Sequence, residues 1–441
     1  MGISTTKDDE IEHLLDDSRK VKKHDIYVCT LKTEKAMDYI QEALQKDAIV
    51  YGSFAYHHPH YYQYQDEAQL HVLLETFYQF DLSKMIIIGI CGSNGKTSTA
   101  KMIYENVKAE AMLISTHHLY CKENHLEIKN TTPNAFELAQ YVQYAFQQKC
   151  KYLIMEVSSH AIDQKRMFFL RYDYIIYTNI TSDHLDYHLC RMHYIFTKLK
   201  LRYYLKTEGK ILCYEDLPCL QILPLSKLVV LSKRSIVKQD DHGITFVYQQ
   251  QYYQIPYHTS FQLENAYMVL RLLQQLGFQD LERRMRSLPL IEGRCETFIM
   301  KGIQIMIDYA HSSDGLKQLL QNIKVLGKIY CVIGCGGNRD QKKRSKMGEI
   351  ACQYSDVAIY TADNPRFESI HTIIQMMMNH SYTNYEVFEN RYCAIKYAVK
   401  SAKKGDIIII GGKGDERTQE INGVFYPFYD KQCIKEIMKE N

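Results

Sequence analysis

The sequence predicts an α/β protein in three domains, over 1–82, 83–290 and 291–441. Three observations predict it. Strand and helix patterns alternate from 83 to about 290, and a second alternation begins near 294. Between them they argue parallel sheets covered on both faces by helices. The third observation is a glycine loop that joins an apolar run to a helical segment, in Met85-Ile-Ile-Ile-Gly-Ile-Cys-Gly-Ser-Asn-Gly-Lys-Thr97. A chain of 441 residues has room for several domains with real cores.

In chain order, 26–29 and 49–51 read as short strands, and 35–46 has helical spacing through Ala36, Ile40, Ala43 and Leu44. These make a small N-terminal α/β domain. The His- and Tyr-rich stretch 55–63 lacks any regular ligand spacing and reads as an aromatic packing segment, not a metal site. In the central domain the strands are 85–90, 152–157, 174–179, 210–214 and 228–231, with helices at 97–108, 134–148, 191–206 and 264–276. The stretch 233–258 reads as a hairpin or meander. The C-terminal domain is Rossmann-like, with strands at 303–308, 329–334, 357–361 and 407–410 and helices at 313–325, 341–354 and 391–402. Residues 291–294 form the expected hinge.

Composition removes several classes. A net charge of +3 is too small to argue for nucleic acid or a membrane surface, although local basic clusters suit anionic small molecules. No apolar run approaches the roughly 18 residues of a membrane span. The first residues are acidic and polar, unlike a signal peptide. Thirteen cysteines without CxxC pairs read as reduced cytosolic thiols.

The chemistry-bearing motifs fall at strand exits, where open α/β sheets bind ligands. Strand, glycine loop and helix at 85–108 form a phosphate-binding context. Backbone N–H groups of Gly92, Ser93, Asn94 and Gly95 would cradle phosphates, Lys96 would reach the outer phosphates, and the Thr97 hydroxyl, with Ser98 beside it, would face Mg²⁺. The general pattern puts a glycine where Ile90 stands. Glu156 ends a second strand, where a carboxylate can hold Mg²⁺. His184 lies in a His-, Asp- and Thr-rich strand exit at 178–188.

The ordered set Gly92-Ser-Asn-Gly-Lys-Thr97, Asn130-Thr-Thr-Pro133, Glu156-Val-Ser-Ser-His160 and Thr178-Asn-Ile-Thr-Ser-Asp-His-Leu-Asp-Tyr-His188 resembles the Mur ligases. Within them it resembles the UDP-N-acetylmuramoyl-tripeptide synthetase (MurE) type. Gly293-Arg294, Asp308-Tyr-Ala-His311, Gly334-Cys-Gly-Gly-Asn-Arg-Asp340, Asp363-Asn-Pro-Arg366 and Gly412-Lys-Gly414 continue the resemblance. In the first domain it rests on Asp17-Ser-Arg19 and Val21.

The resemblance implies an ATP-dependent, ADP-forming amide ligase of peptidoglycan precursor synthesis, monomeric, cytoplasmic and without membrane insertion or nucleic acid. A substrate carboxylate is phosphorylated and an amine attacks the acyl phosphate. Thr97, Glu156, His184 and Lys198 would hold two Mg²⁺ ions, Lys198 as a CO₂-derived carbamate. That chemistry requires an unprotonated amine, and the competing reading is a surface helix lysine beside Lys200 and Arg202. With Lys96, these would be the catalytic residues. Asn265, Arg294 and Asp308 would complete the ATP site, although Asn265 could equally cap its helix and Asp308 could simply end its strand. Ser18, Asn130, Thr131, Thr132, Ser158, Gln164 and Arg166 would contact the UDP-MurNAc-dipeptide. Arg339, Asp363, Asn364, Arg366, Gly412 and Glu416 would form the site for a diamino acid, with meso-diaminopimelate favoured because Arg366 can grip a distal carboxylate.

The chain departs from the family at Leu189, where glycine is usual, at Glu292 for proline, at Cys295 for methionine or an aromatic, and at Asp415 for histidine. Its first domain is short. The short first domain and Asp415 keep open a relative with another acceptor or amine (L-lysine, a folylpolyglutamate-type or lipid-linked substrate). A third reading, a non-catalytic regulatory homologue, is opposed by intact Lys96, Thr97, Glu156, His184 and Lys198.

Overall fold

The computed structural model describes residues 13–128, 130–181, 185–240, 242–323, 325–378 and 381–440. By contact density the chain forms two compact units. The first comprises Met1–Gly89, Val107–Ile175 and Lys200–Lys210, and the second Ile90–Asn106, Ile176–Leu199 and Ile211–Asn441.

In the first unit, Leu14–Leu15, Ile26–Cys29, Ile49–Gly52 and Tyr61–Gln63 pair in that order as an all-parallel sheet. The helix Ala36–Gln45 presents Ala36, Ile40, Ala43 and Leu44 to a core with Tyr27 and Val50, the four residues whose spacing predicts it. The His- and Tyr-rich stretch packs as expected. Tyr61 is buried and its hydroxyl donates to Phe54 O at 2.6 Å, while His57 and His58 are exposed.

The central sheet has eight strands, ordered Leu228–Leu231, Leu205–Tyr214, Tyr172–Tyr177, Ile86–Cys91, Tyr152–Val157, Ala111–Ser115, His118–Cys121 and Asn124–Glu127. The last three form an antiparallel meander absent from the sequence expectations. Ile86–Cys91 is a β-branched run buried from Ile87 on. Gly89 within it has no room for a side chain, since a Cβ there would lie 2.7 Å from the Tyr172 ring.

In the second unit, Glu296–Met300, Ile303–Asp308, Ile407–Gly411, Ile329–Ile333, Val357–Thr361 and Tyr385–Phe388 form a six-stranded sheet in that order. Only the first pair is antiparallel. Both faces are covered, which is why Ile407 to Ile410 is uninterrupted isoleucine. Ile407 and Ile409 pack with the helices Ser313–Gln321, Lys342–Tyr354 and Ile370–Met377. Ile408 and Ile410 pack with Arg391–Ser401 and Asp430–Glu440. The 233–258 stretch is a three-stranded antiparallel meander of Ile236–Asp240, Gly243–Tyr248 and Gln251–Ile255.

Three helix expectations are corrected, the first being 313–325, which ends at Gln321. The helix expected over 191–206 ends at Leu199, and after a short 3-10 turn the chain enters the long strand Leu205–Tyr214. Sheet pairing there outweighs the helical pattern. The helix expected from 264 begins at Ser260, because Thr259 is its cap and accepts from Gln262 N.

Candidate active site

The loop 92–95 leaves its strand with no room for a side chain at Gly92 or Gly95. A Cβ on Gly92 would overlap the Thr178 hydroxyl. Gly95 has φ +83°, and its Cβ would lie 2.5 Å from Asn265 Oδ1. Ile90, at the position of the general pattern's first glycine, lies in the strand and is buried, so the turn needs no glycine there. Thr178 Oγ1 and Asn179 Nδ2 donate to Asn94 O at 2.6 and 3.1 Å, and Asn94 N donates to Asn179 Oδ1 at 3.0 Å. Asn94 Nδ2 is buried and has no partner among the described residues, a donor left for an anionic group.

Lys96 opens the helix Lys96–Val107, and its ammonium donates to Gly92 O and Ser93 O, both at 2.9 Å. Lys198 Nζ donates to the same Gly92 O at 2.9 Å. Lys198 is 2% exposed and lies over the Tyr194 ring at 4.7 Å, so it is not a surface helix lysine. Thr97 is part-exposed and Ser98 buried beside it. Asn265 sits inside its helix, so it does not cap it; its amide packs on Gly95. Ser182, Asp183 and the expected metal ligand His184 lie outside the described residues.

In the first unit, Glu156 is fully buried near the end of Tyr152–Val157. Ser115 Oγ donates to its carboxylate, as do Thr116 N at 3.1 Å and Thr116 Oγ1 at 3.3 Å. Thr132 Oγ1 donates to Glu156 O at 2.9 Å and accepts from Ser158 N at 3.1 Å. Arg166 donates to Thr132 O at 2.8 Å and to Gln164 Oε1. Thr131 meets Thr116 at 3.2 Å, and Asn130 beside it is exposed. The structure thus gathers Thr131, Thr132, Glu156, Ser158, Gln164 and Arg166 into one network. Ser158 also caps a short helix through Ala161 N. Ser18 stands apart: it is buried, and its hydroxyl donates to Glu42 at 2.6 Å.

Among the described residues no three His, Cys, Asp or Glu side chains group as a metal cage. Mg²⁺ does not need one, because it keeps waters and phosphate oxygens and takes one or two protein oxygens. Thr97 in the second unit carries a hydroxyl oxygen and Glu156 in the first a carboxylate, each an oxygen of the type Mg²⁺ accepts.

In the second unit, Asp308 both ends its strand and organises the next turn. It accepts from Cys295 N and Ala310 N, each at 2.8 Å. Burial raises its pKa, against the nearby Arg294. Arg294 lies over the Tyr309 ring at 4.1 Å and donates to Asp415 Oδ1 at 3.2 Å. The acid that replaces the usual histidine therefore meets Arg294.

Asp363, Asn364 and Gly412 come together, since a Cβ on Gly412 would lie 2.5 Å from Asp363 Oδ2. Asn364 Nδ2 donates to Glu416 Oε2 at 2.8 Å. Lys413, wholly buried, donates to Asn364 Oδ1 at 3.0 Å and Glu416 Oε2 at 2.8 Å. Arg366 donates to Gly337 O at 2.9 Å and faces Glu420. Arg339 is exposed on the 334–340 loop.

Sequence reasoning missed the residues that hold these loops. Lys413 was signalled only by its place between Gly412 and Gly414. Arg391 is buried against Asp430 through two contacts of 2.8 Å and donates to Gly411 O at 2.9 Å, bracing a strand exit. Burial opposes its charge, yet Asp430 holds its pKa above the ordinary value. Arg344 grips Glu368 through both terminal nitrogens at 2.8 and 3.0 Å. Nothing in the spacing of Arg344, Arg391 or Glu420 announces these partners.

The sequence model of the Mur ligase middle domain matches 90–272, and that of the Mur ligase glutamate ligase domain matches 293–414. A relative from Alkaliphilus metalliredigens is 31% identical over 98% of this chain and 94% of its own. One from Bacillus cereus is 32% identical over 97% and 94%. Both are named UDP-N-acetylmuramoyl-L-alanyl-D-glutamate–2,6-diaminopimelate ligase. A solved structure of that name has a TM-score of 0.67 at 27% identity, covering 98% of this chain and 95% of that one. A MurF ligase from Thermotoga maritima in complex with ADP shares the fold, with a TM-score of 0.65 at 16% identity over 99% of each chain. Among the described residues no helix is long and apolar enough to cross a membrane. With its loop, strand-exit clusters and nearly full-length relatives in agreement, the chain belongs to the Mur ligase family of ATP-dependent, ADP-forming ligases.

Proposed function

We propose that the protein joins meso-diaminopimelate to UDP-N-acetylmuramoyl-L-alanyl-D-glutamate through an acyl phosphate, in peptidoglycan precursor synthesis. The observation that carries the reading is Lys198, an amine buried in the molecule and set on the first carbonyl of the phosphate loop, which Lys96 also holds. Phosphoryl transfer needs positioning and charge stabilisation more than covalent help from the protein. The relatives' printed names supply the acceptor and the amine.

On this reading 1–82 takes the UDP end, 83–290 takes ATP and 291–441 takes the amino acid. The N–H groups of 92–95 and the Lys96 ammonium orient the phosphates. Thr97, Glu156, His184 and a carbamate on Lys198 would hold Mg²⁺, which when bound neutralises phosphate oxygens. Asn265, Arg294 and Asp308 line the nucleotide side. Asn130, Thr131, Thr132, Ser158, Gln164 and Arg166 position the peptide whose carboxylate is activated, and Ser18 belongs to the UDP end. Arg339, Asp363, Asn364, Arg366, Gly412 and Glu416 hold the diamino acid with its amine toward the acyl phosphate.

Purified protein supplied with ATP, Mg²⁺, the UDP-dipeptide and meso-diaminopimelate releases phosphate only when all four are present. Silence with every diamino acid overturns the reading. Lys198→Ala lowers kcat by about 100-fold or more, and intact-mass analysis of the untreated enzyme shows a carboxyl adduct on Lys198. A variant with full activity would remove Lys198 from the chemistry.

A further inference from the structure

The ion pair of Arg366 and Glu420 is only half used by the protein. Arg366 Nε lies 3.0 Å from Glu420 Oε2, and Nη1 donates to Gly337 O at 2.9 Å. Among the described residues Arg366 Nη2 and Glu420 Oε1 make no hydrogen bond. The two side chains are 22% and 21% exposed, so a small solute can reach both.

This pair is built into the fold. Arg366 N donates to Glu420 O at 3.0 Å, and Asn422 N donates to Arg366 O at 2.7 Å. Glu420 N donates to Asn364 Oδ1 at 3.0 Å, and Gln419 Nε2 donates to Asp363 O at 2.7 Å. These four bonds fasten the strand Thr418–Ile421 along the 363–366 loop. Arg366 holds φ +51° there, a conformation a non-glycine residue keeps only when its surroundings impose it. The neighbouring acid Glu416, in contrast, is engaged by the buried Lys413.

We propose that Glu420 is a specificity-determining residue: its carboxylate takes the distal ammonium of the incoming diamino acid while Arg366 takes the carboxylate on the same carbon. The proposal rests on the diaminopimelate reading above. One spare donor beside one spare acceptor matches a zwitterionic amino-acid end, which carries both charges on one carbon. The end of lysine offers only the ammonium and leaves Arg366 Nη2 without an acceptor. The end of 2-aminopimelate offers only the carboxylate and sets it against the negative charge of Glu420. Each mismatch leaves one desolvated charge unpaired, which is how a polar site rejects a near-analogue.

The test is phosphate release by wild type, Glu420→Gln and Glu420→Ala with saturating ATP, Mg²⁺ and UDP-dipeptide, varying meso-diaminopimelate, 2-aminopimelate or L-lysine. Both variants raise KM for meso-diaminopimelate by about 10- to 100-fold with little change in kcat. KM for 2-aminopimelate falls or stays level, so the preference for the diamino acid collapses. KM for ATP and UDP-dipeptide is unmoved. An unchanged KM for meso-diaminopimelate overturns the proposal. A lowered one overturns it too, by showing that Glu420 competes with the substrate carboxylate. Failure of the underlying reading looks different: wild type itself then ignores meso-diaminopimelate, and use of L-lysine instead would end both.

Discussion

Leu189 has φ +60° and is 86% exposed, at a position where the family usually carries glycine. For an L-residue that conformation costs about 1–2 kcal/mol, and glycine would return roughly 0.4–1 kcal/mol of this to the unfolded chain as entropy. Leu189→Gly is therefore expected to stabilise the protein by about 0.5–1 kcal/mol, read as a higher urea midpoint. A lower midpoint would mean the exposed leucine makes contacts worth more than the strain. At this scale contiguous motifs pointed to residues that the structure places in bonded strand-exit loops, as at Lys96, Glu156 and Asp363–Arg366. The sequence was silent on Arg344, Arg391, Lys413 and Glu420, whose roles arise only when their partners arrive from elsewhere in the chain.

The loops that bear the candidate site are held in place by single ion pairs. Arg344 is wholly buried, and its fork on Glu368 ties the helix Lys342–Tyr354 to the segment after Arg366. Glu368 also accepts from Asn338 N in the 334–340 loop. Arg344 holds the Glu368 carboxylate below its ordinary value of 4.5. A lowered folded pKa means the stabilisation is fully present above 4.5 and disappears as pH falls through the lower folded value. Glu368→Gln should cost about 2–3 kcal/mol at neutral pH, by leaving a buried guanidinium opposite a neutral amide. The gap in urea midpoint between wild type and variant should then narrow in acid below 4.5. A gap that stays constant with pH would show that the pair's charge contributes nothing. The element scale was the most legible: the strands Tyr152–Val157, Ile303–Asp308 and Val357–Thr361 have the boundaries read from sequence. The meander after Ala111 escaped because its turns use His117 and Lys122 at φ +63° and +54°. Glycine and asparagine, the usual turn signals, are not at those left-handed positions.

At the scale of the molecule, three substrates must be brought into one reaction. A carboxylate, a γ-phosphate and an amine react only when their atoms approach to about 3–3.5 Å. The segment 291–295, which contains the hinge expected from the sequence, is where that movement is tested. Gly293 has φ +65° and Cys295 φ +49°, bracketing Arg294, and a side chain on Gly293 would overlap the backbone of Asp415. Hinges concentrate their dihedral change in a few terminal or loop residues of this kind. An ATP analogue together with UDP-dipeptide should therefore reduce the radius of gyration measured by X-ray scattering, by more than either ligand alone. Gly293→Val, which can neither hold that φ nor fit beside Asp415, should blunt the contraction and lower kcat, while Lys96 and the loop 92–95 still bind nucleotide. Superimposable scattering curves with and without both ligands would mean that the substrates meet without domain closure, and would leave 291–295 as a rigid connection.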